Sequence, residues 1–180
     1  MTYIYHYSSP LGHIIISSNG KEITGLWFEE QEHSGGTLIK EYKENALPVF
    51  DEAKKWLDTY FSGKAPDFTP PIKVDTTHFC KSVLEIVQTI PFGQTMTYGK
   101  IANHIARQRG ADKMSAQAVG RAVGSNPILL IIPCHRVVGA KGNLTGYVGG
   151  LEKKLQLLTM ERENASAFSV NNGIATNLFK

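Results

Sequence analysis

The sequence predicts a chain of two unlike parts: an N-terminal α/β region built on an antiparallel sheet, followed by a mainly helical C-terminal region. Apolar residues alternate near the N-terminus but recur at helical spacing in the second half. Between the two parts, residues 63–77 (GKAPDFTPPIKVDTT) are rich in proline and have no amphipathic period, which is typical of a linker. We therefore expect an α/β domain with its linker over residues 1–77, a C-terminal domain over 78–163 and a tail over 164–180.

Three strands and one helix are predicted in the N-terminal region. YIYHY alternates, HIIIS follows the turn signal SPLG, and EITGLWF follows an Asn-Gly pair, which together indicate an antiparallel meander. A helix is predicted from Pro48, which suits a first turn, to Phe61, with Gly63 as the stop. It should pack on the sheet through Phe50, Ala53, Trp56, Leu57, Tyr60 and Phe61.

The C-terminal region begins with a pattern of helices. Residues 81–90 place apolar side chains on one face before PFG ends the helix. A second helix is predicted after Thr97 as N-cap, and a third, over residues 115–124, is capped by Ser115. The last two suggest a helix-turn-helix, with a connection longer than the simplest form of that motif has.

A final helix is predicted over residues 149–163. Leu151, Leu155 and Leu158 line up on one face of it and are expected to point inward. The residues after it, NASAFSVNNGIATNLFK, show no clear element.

Composition excludes several classes of protein. The longest apolar run, ILLIIP, is too short to span a bilayer, and the N-terminus lacks a basic region followed by an apolar one, so we expect a cytoplasmic protein. Two cysteines do not form a secreted disulfide framework, and the scattered histidines make a structural metal unexpected. The formal charge of +3 permits a polyanionic partner without requiring one.

Cys134 is the candidate nucleophile, in the sequence Pro-Cys-His-Arg directly after the apolar run. A thiol attacks as thiolate, and positive charge on the adjacent His135 and Arg136 would lower its pKa. The alternative is a buried structural cysteine, the commoner fate of a lone cysteine. Cys80 has no comparable neighbours and is interpreted as structural.

A base beside Cys134 would need a group to fix its tautomer. If the chain is extended here, His135 and Cys134 point to opposite sides, so the imidazole would reach the sulfur through a water molecule. Glu161 is the candidate third group, because it follows Leu158 by three residues on the final helix. Alternatively the helix frays there and Glu161 faces water, and the residues alone leave both options open.

The helix over residues 115–124 reads SAQAVGRAVG. Ala116, Val119 and Val123 can face the core, which leaves an outer face of Gln117, Gly120, Arg121 and Gly124. Each glycine costs roughly 1 kcal/mol of helix stability relative to alanine, so a pair of them needs a reason. Small residues that admit a nucleic-acid backbone are one reason, and tight packing within the protein is the other.

The motifs IPCHRVVG, GYVGG, RAVGSNP and IPFGQTMTYGKIA together resemble the O6-alkylguanine-DNA alkyltransferase family. The resemblance is strong from Phe79 to Glu161 and weaker in the N-terminal half, at SPLG and TGLWF. It implies an N-terminal ribonuclease-H-like α/β domain and a C-terminal winged-helix-like domain with a helix-turn-helix. It also implies a suicidal transferase that flips an O6-alkylated guanine out of double-stranded DNA and takes the alkyl group irreversibly, without a cofactor or metal.

The resemblance also implies residue roles. Cys134 would be the acceptor, His135 its water-linked base and Glu161 the group that orients His135. Tyr98 would donate to guanine N3 and assist the leaving group. Asn126 would bridge the recognition helix to the turn that carries Cys134.

Substrate and DNA contacts are carried over in the same way. Backbone at Cys134 and Val137 would read the exocyclic amine, and the Val148 amide, in the same motif as Tyr147, would meet O6. The residues expected at DNA are Ser115, Gln117, Arg121, Gly124 and Arg136. Many family members have arginine where this chain has Gln117, and we hypothesise that Arg121, one turn later, restores the lost phosphate attraction.

Two other classes of function compete with repair. A DNA-binding sensor would need a further metal-thiolate domain or second reader, and a thiol hydrolase using Cys134 and His135 would turn over many times. We expect a monomer acting on alkylated duplex DNA, with O4-alkylthymine left open as a second substrate.

Overall fold

The computed structural model describes residues 1–30 and 42–171, with side chains except at residue 42 and residues 166–171. Four strands, β1 (Thr2–Ser9), β2 (Gly12–Ser18), β3 (Ile23–Phe28) and β4 (Tyr42–Glu44), form a sheet in the order β3-β2-β1-β4. The antiparallel meander of β1, β2 and β3 is confirmed. The parallel pairing of the three-residue β4 with β1 was not predicted, because so short a strand carries no alternating pattern.

Helix α1 (Pro48–Phe61) has the predicted bounds and packs on the sheet. Proline occupies its first turn, and Gly63 follows it with a left-handed φ of 84°. Alternation in the strands buries one face of the sheet against this helix. The side chains that meet there are buried; they include Ile14, Ile16, Leu26, Phe28, Phe50, Trp56, Leu57 and Tyr60.

The segment predicted as a linker is docked on the sheet rather than free. The amide of Ile23 donates to the carbonyl of Pro71 at 2.7 Å, and the amide of Lys73 donates to the carbonyl of Ile23 at 2.8 Å. Since β3 is an edge strand, these bonds cover part of an otherwise open edge.

Three helices follow, α2 (His78–Gln88), α3 (Tyr98–Arg109) and α4 (Ala116–Gly124), and all three contact one another. The predicted caps are confirmed: Thr97 accepts from the amide of Lys100 at 3.1 Å, and Ser115 accepts from that of Ala118 at 3.2 Å. Helices α3 and α4 form the predicted helix-turn-helix. The inward face of α4 was partly wrong, because Ala116 is exposed and Ala122 is buried in its place.

The apolar run before Cys134 is buried, as predicted, but its chain is irregular. Cys134 starts a 3₁₀ turn, Cys134–Arg136, so the extended geometry assumed for His135 was wrong. Two short strands, β5 (Met96–Thr97) and β6 (Val137–Val138), then pair in parallel. That unpredicted pairing sets the start of α3 beside the residues that follow the thiol.

The final helix, α5 (Leu151–Asn171), is longer than predicted and includes the start of the expected tail. Residues 172–180 lie outside the described residues. The prediction of the buried face of α5 was also wrong. Leu151 and Leu155 are half exposed, and the inward positions are Lys154, Leu157 and Glu161. The polar pair is buried because each of its members has bonding partners, which an apolar period cannot reveal.

One core joins the two halves of the chain. The amide of Leu26 in β3 donates to the carbonyl of Pro127, and the amide of Leu129 donates back to Leu26, each at 2.9 Å. The N-terminal sheet thus holds the segment that leads to Cys134. Within the part of the chain that the structure describes, no helix has the length and apolar character to cross a membrane.

Candidate active site

Asn126 anchors the backbone that presents Cys134. Its Oδ1 accepts from the amide of Ile128 and its Nδ2 donates to the carbonyl of Ile132, both at 2.9 Å. Within this clamp Leu130 adopts a left-handed φ of 68°, a strained conformation for a branched side chain. The two Asn126 bonds hold this backbone in its strained conformation, so the Cys134 side chain projects from a rigid segment.

Cys134 lines a cleft of about 290 Å³ between the end of α4 and the loop before α5. Its side chain is buried, and Tyr98 lines the same cleft, where its hydroxyl donates weakly to the carbonyl of Thr145 at 3.5 Å. A wider groove of about 610 Å³ adjoins this cleft and includes Gln117. The walls of the cleft are Tyr98, Gly120, Val123, Gly124, Gly146, Tyr147 and Val148.

The two glycines of α4 open onto this cleft rather than packing inside the protein. A Cβ atom on Gly120 would lie 3.9 Å from the Tyr98 ring, which is ordinary contact, and one on Gly124 would meet nothing within 4 Å. Tight internal packing therefore does not explain them. Their small size leaves space beside the thiol and on the outer face of the helix.

Glu161 lies at the centre of a buried polar network, which confirms the inward-facing alternative. Arg136 donates from Nε and Nη2 to its carboxylate at 2.9 Å, and the amide of Gly93 donates to Oε2 at 3.1 Å. His135 Nε2 lies 2.7 Å from Oε1, and the hydroxyl of Tyr60 in α1 donates to the same oxygen at 2.7 Å. Burial alone would raise the pKa of Glu161, but bonds and charge from His135 and Arg136 lower it to about 2.

This carboxylate assigns the tautomer of His135. An ionised carboxylate only accepts hydrogen bonds, so the proton of the neutral imidazole must sit on Nε2. Nδ1 is then the free basic nitrogen, and it has no partner among the described protein atoms. Burial lowers the pKa of His135 by more than the hydrogen bond and charge of Glu161 raise it. The ring is therefore neutral and able to take a proton.

The thiol of Cys134 is protonated at rest, contrary to the expected activation by its neighbours. Burial raises its pKa to about 11, and the opposing effects of Asn126 and of the Lys154 charge are smaller. A hydrogen bond with Thr77 lowers the pKa of Cys80, the other thiol, but Cys80 lies on α2 outside the cleft walls. Its place in the wall of the cleft therefore singles out Cys134, whereas resting acidity would not.

Arg136 was wrongly placed among the residues expected at DNA. Its Nη1 donates to the carbonyl of Ile90 at 2.7 Å, its other nitrogens bond Glu161, and its side chain is 10% exposed. Each of the three guanidinium nitrogens thus donates to a group inside the protein. Its charge compensates the buried Glu161 instead of reaching a phosphate.

Lys154 is a site residue that sequence reasoning missed. It is fully buried on α5, and its Nζ donates to the carbonyls of Val137 at 2.6 Å, Thr145 at 2.9 Å and Gly146 at 3.3 Å. These bonds tie the strand after the thiol to the loop that walls the cleft. Its spacing of seven residues from Glu161, two turns along one helix face, was the signal that could have found it.

The remaining predicted residues divide between an outer face and the cleft. Gln117, Arg121 and Gly124 lie exposed on α4, and the hydroxyl of Ser115 caps the same helix. The predicted substrate contacts Tyr147 and Val148 line the cleft with Tyr98, whereas Val137 is buried behind it in β6. Over residues 1–30 and 42–171, no group of three or more histidine, cysteine or acidic side chains is placed to hold a metal ion.

The fold and the cleft define a class: a helix-turn-helix protein with a buried thiol in a cleft beside the second helix of the motif. Two family matches cover nearly all of the described chain. Residues 2–75 match the ribonuclease-like domain of 6-O-methylguanine DNA methyltransferase, and residues 78–163 match its DNA binding domain.

Individual relatives agree with these matches. The methylated-DNA–protein-cysteine methyltransferase of Haemophilus influenzae is 38% identical, over 90% of this chain and 88% of the relative. The inducible enzyme of that name from Bacillus subtilis is 36% identical, over 92% and 88%. A crystal structure of Mycobacterium tuberculosis OGT in complex with DNA is 36% identical and superposes with a TM-score of 0.78, covering 90% of this chain and 94% of that one. The chain belongs to the 6-O-methylguanine DNA methyltransferase family.

Proposed function

We propose that this protein repairs duplex DNA by direct reversal, moving the alkyl group of an O6-alkylguanine irreversibly onto Cys134. The observation that carries the proposal is the placement of a buried thiol in a cleft, next to an imidazole that a buried carboxylate holds in one tautomer. The relatives named methylated-DNA–protein-cysteine methyltransferase support the same chemistry. One protein molecule then repairs one lesion.

The guanine must leave the base stack to reach Cys134. The sulfur is buried in a cleft of about 290 Å³, the scale of one base, and the O6-alkyl carbon of a stacked base pair could not enter it. Extruding a base costs a few kcal/mol, less for a lesion that pairs poorly, so weak pairing favours the damaged base. The cleft lies beside α4, the helix that we place against the DNA.

Transfer is a displacement at the alkyl carbon. His135 Nδ1 takes the Cys134 proton through a water molecule, the sulfur forms a bond to carbon, and the carbon–O6 bond breaks with its electron pair on guanine. Because burial raises the thiol pKa to about 11, the resting thiol keeps its proton, and His135 takes it in the course of transfer. The product is a thioether, which has no activated bond for water to cleave, so Cys134 is not regenerated.

Groups across the cleft stabilise the departing guanine. The hydroxyl of Tyr98 donates a hydrogen bond to guanine N3, and the backbone amide of Val148 donates one to O6, where negative charge develops. Their positions on the cleft walls support both roles. The backbone carbonyl of Cys134 accepts from the exocyclic amine, and that of Val137, which already accepts from Lys154, does so with its second lone pair. Tyr147 walls the base pocket.

Helix α4 is proposed as the DNA-facing surface. Its exposed Gln117 wedges into the gap that the flipped nucleotide leaves and bonds the unpaired base, without the charge of the arginine that is usual there. Exposed Arg121, one turn further, supplies a phosphate contact in its place. Ser115 and Gly124 let the backbone approach the two ends of the helix.

Replacing Arg121 by alanine tests this compensation. We expect weaker binding to duplexes of any sequence and a plot of log affinity against log salt that is less steep by about 0.9, the value for one lost phosphate contact. Titrations at several salt concentrations measure both. Lys21→Ala removes one exposed charge in the turn before β3 and serves as the matched control. Affinity and slope equal to those of the control would remove Arg121 from the DNA surface.

We also propose the division into an N-terminal domain with its linker, residues 1–77, a transfer domain, residues 78–163, and a tail, residues 164–180, the first part of which continues α5 to Asn171. The family matches to residues 2–75 and 78–163 support it. The site of action is proposed to be the cytoplasm.

A stoichiometric assay tests the function as a whole. The protein is incubated with a molar excess of duplex carrying O6-methylguanine labelled on the methyl carbon, and protein-bound and free label are counted. We expect one equivalent on the protein and none released. Label released beyond one equivalent would indicate a thiol hydrolase, and label left on DNA would refute the proposal.

A further inference from the structure

Tyr60 reaches the centre of the thiol site from the opposite half of the chain. It lies on α1 in the N-terminal region, and its side chain is fully buried. Its hydroxyl donates to Glu161 Oε1 at 2.7 Å and lies 3.3 Å from His135 Nε2. Among the described side chains of residues 1–77, it alone hydrogen-bonds the His135–Glu161 pair.

The ring of Tyr60 is held tightly in this position. It stacks on Trp56 at 5.3 Å and meets Phe92 edge-on at 6.0 Å. Phenylalanine could fill the same space, so packing alone does not require the hydroxyl. A buried hydroxyl loses its contacts with water on folding, and here its hydrogen bond to Glu161 compensates.

Tyr60 and His135 donate to the same carboxylate oxygen. Both protons point at Glu161 Oε1, so the phenol shares the negative charge that would otherwise act on the imidazole. The hydroxyl also limits where Oε1 can sit, and with it the direction of the His135 ring.

We propose that Tyr60 is a positioning residue for alkyl transfer, which orients His135 through Glu161 and limits the charge that Glu161 places on the imidazole. This inference rests on the proposed function. It gives the N-terminal domain a direct part in the chemistry, in addition to its contacts with the segment before Cys134.

The pH dependence of transfer follows from the groups that face His135. These groups are Tyr60 from α1, Glu161 and Lys154 from α5, Cys134 and Arg136 from its own turn, and Tyr147 from the loop before α5. Without the phenol proton, Glu161 attracts a proton on His135 more strongly, so the pKa of His135 rises. Since the base must be neutral to accept the thiol proton, the loss of activity toward acid pH then begins at higher pH.

The test compares Tyr60→Phe with Tyr7→Phe in the full chain. Tyr7 lies in β1, is buried, and donates to Asp58 at 2.8 Å, so its variant also deletes one phenol hydroxyl from the N-terminal region, away from the thiol. Single-turnover transfer is followed by rapid quench at saturating protein across pH 5–9. We expect Tyr60→Phe to slow the saturated rate by about tenfold and to move the acid limb upward, with unchanged DNA affinity. Tyr7→Phe should match the unaltered protein.

Several results would overturn the inference. One is a Tyr60→Phe rate and pH profile equal to those of Tyr7→Phe, and another is a slower rate with an unmoved acid limb. If Tyr60→Phe does not fold, proton NMR of the unaltered protein decides instead: a slowly exchanging Tyr60 hydroxyl proton close to the proton on His135 Nε2 is expected, and its absence would refute the shared-acceptor geometry. Failure of transfer in the unaltered protein would refute the proposed function, not this inference alone.

Discussion

Replacing Cys134 by alanine is expected to abolish alkyl transfer while leaving duplex binding intact. In the proposed reaction this sulfur forms the new bond, and no other described thiol lines the cleft. The proposed DNA surface is the exposed face of α4, which the change does not touch. Truncating one buried sulfur should cost roughly 1 kcal/mol of unfolding free energy. Transfer of labelled methyl and a duplex titration measure the two properties separately.

Cys80→Ser is the matched control for this variant. Cys80 sits in the first turn of α2, beside the cap Thr77, and takes no part in the cleft. Its variant should transfer a full equivalent at the ordinary rate. Residual transfer by Cys134→Ala, or loss of transfer in Cys80→Ser, would contradict the assignment.

Glu161→Gln should destabilise the protein by about 3–5 kcal/mol, the usual cost of leaving a buried charge unpaired. Arg136 would keep its bond to Ile90 but would lose the carboxylate that neutralises it. A 180-residue chain loses roughly 2–4 °C in Tm for each kcal/mol, so calorimetry should show a drop of about 6–20 °C. Glu163→Gln, exposed on the same helix, should change Tm little.

The loss caused by Glu161→Gln should depend on pH in one direction. The folded-state pKa of Glu161 is about 2, below its ordinary value of 4.5, so the ionised form stabilises the fold above pH 4.5. That contribution disappears as pH falls from 4.5 toward 2. The stability gap between the variant and the unaltered protein should therefore narrow over this window. A gap that stays constant down to pH 2 would show that the carboxylate charge is not what stabilises the site.

Local features of the fold could be predicted because local residues determine them. The first-turn proline, the apolar period and the glycine after the last turn predict α1. The caps Thr97 and Ser115 predict where α3 and α4 begin. The short strands β4, β5 and β6 were missed, since each is held by partners distant along the chain. Short pairings of this kind carry no pattern of their own.

The errors at the site share one cause: adjacency in sequence was taken for proximity in space. Arg136 follows Cys134 by two residues, yet its side chain turns to Glu161, twenty-five residues away. The thiol pKa accordingly reflects burial rather than a neighbouring cation. Tyr60, assigned only to the core, reaches the same carboxylate from one hundred and one residues away.

Buried polar residues on α5 could be predicted only in part. Glu161 was placed inward on the strength of a leucine stripe that is itself mostly exposed, so the position was right and its reason was not. Lys154 shares the true buried face, and its partners are backbone carbonyls, which no sequence pattern marks. The groups that compensate a buried charge can be identified only in the three-dimensional structure.

Peptide mass spectrometry after repair tests the central claim most directly. The protein is mixed with one equivalent of duplex carrying O6-methylguanine, digested, and both cysteine peptides are weighed. We predict the mass of one added methyl group on the peptide with Cys134, in proportion to the lesion lost, and an unchanged peptide with Cys80. A methyl group on Cys80, or an unmodified Cys134 after the lesion has gone, would contradict the account.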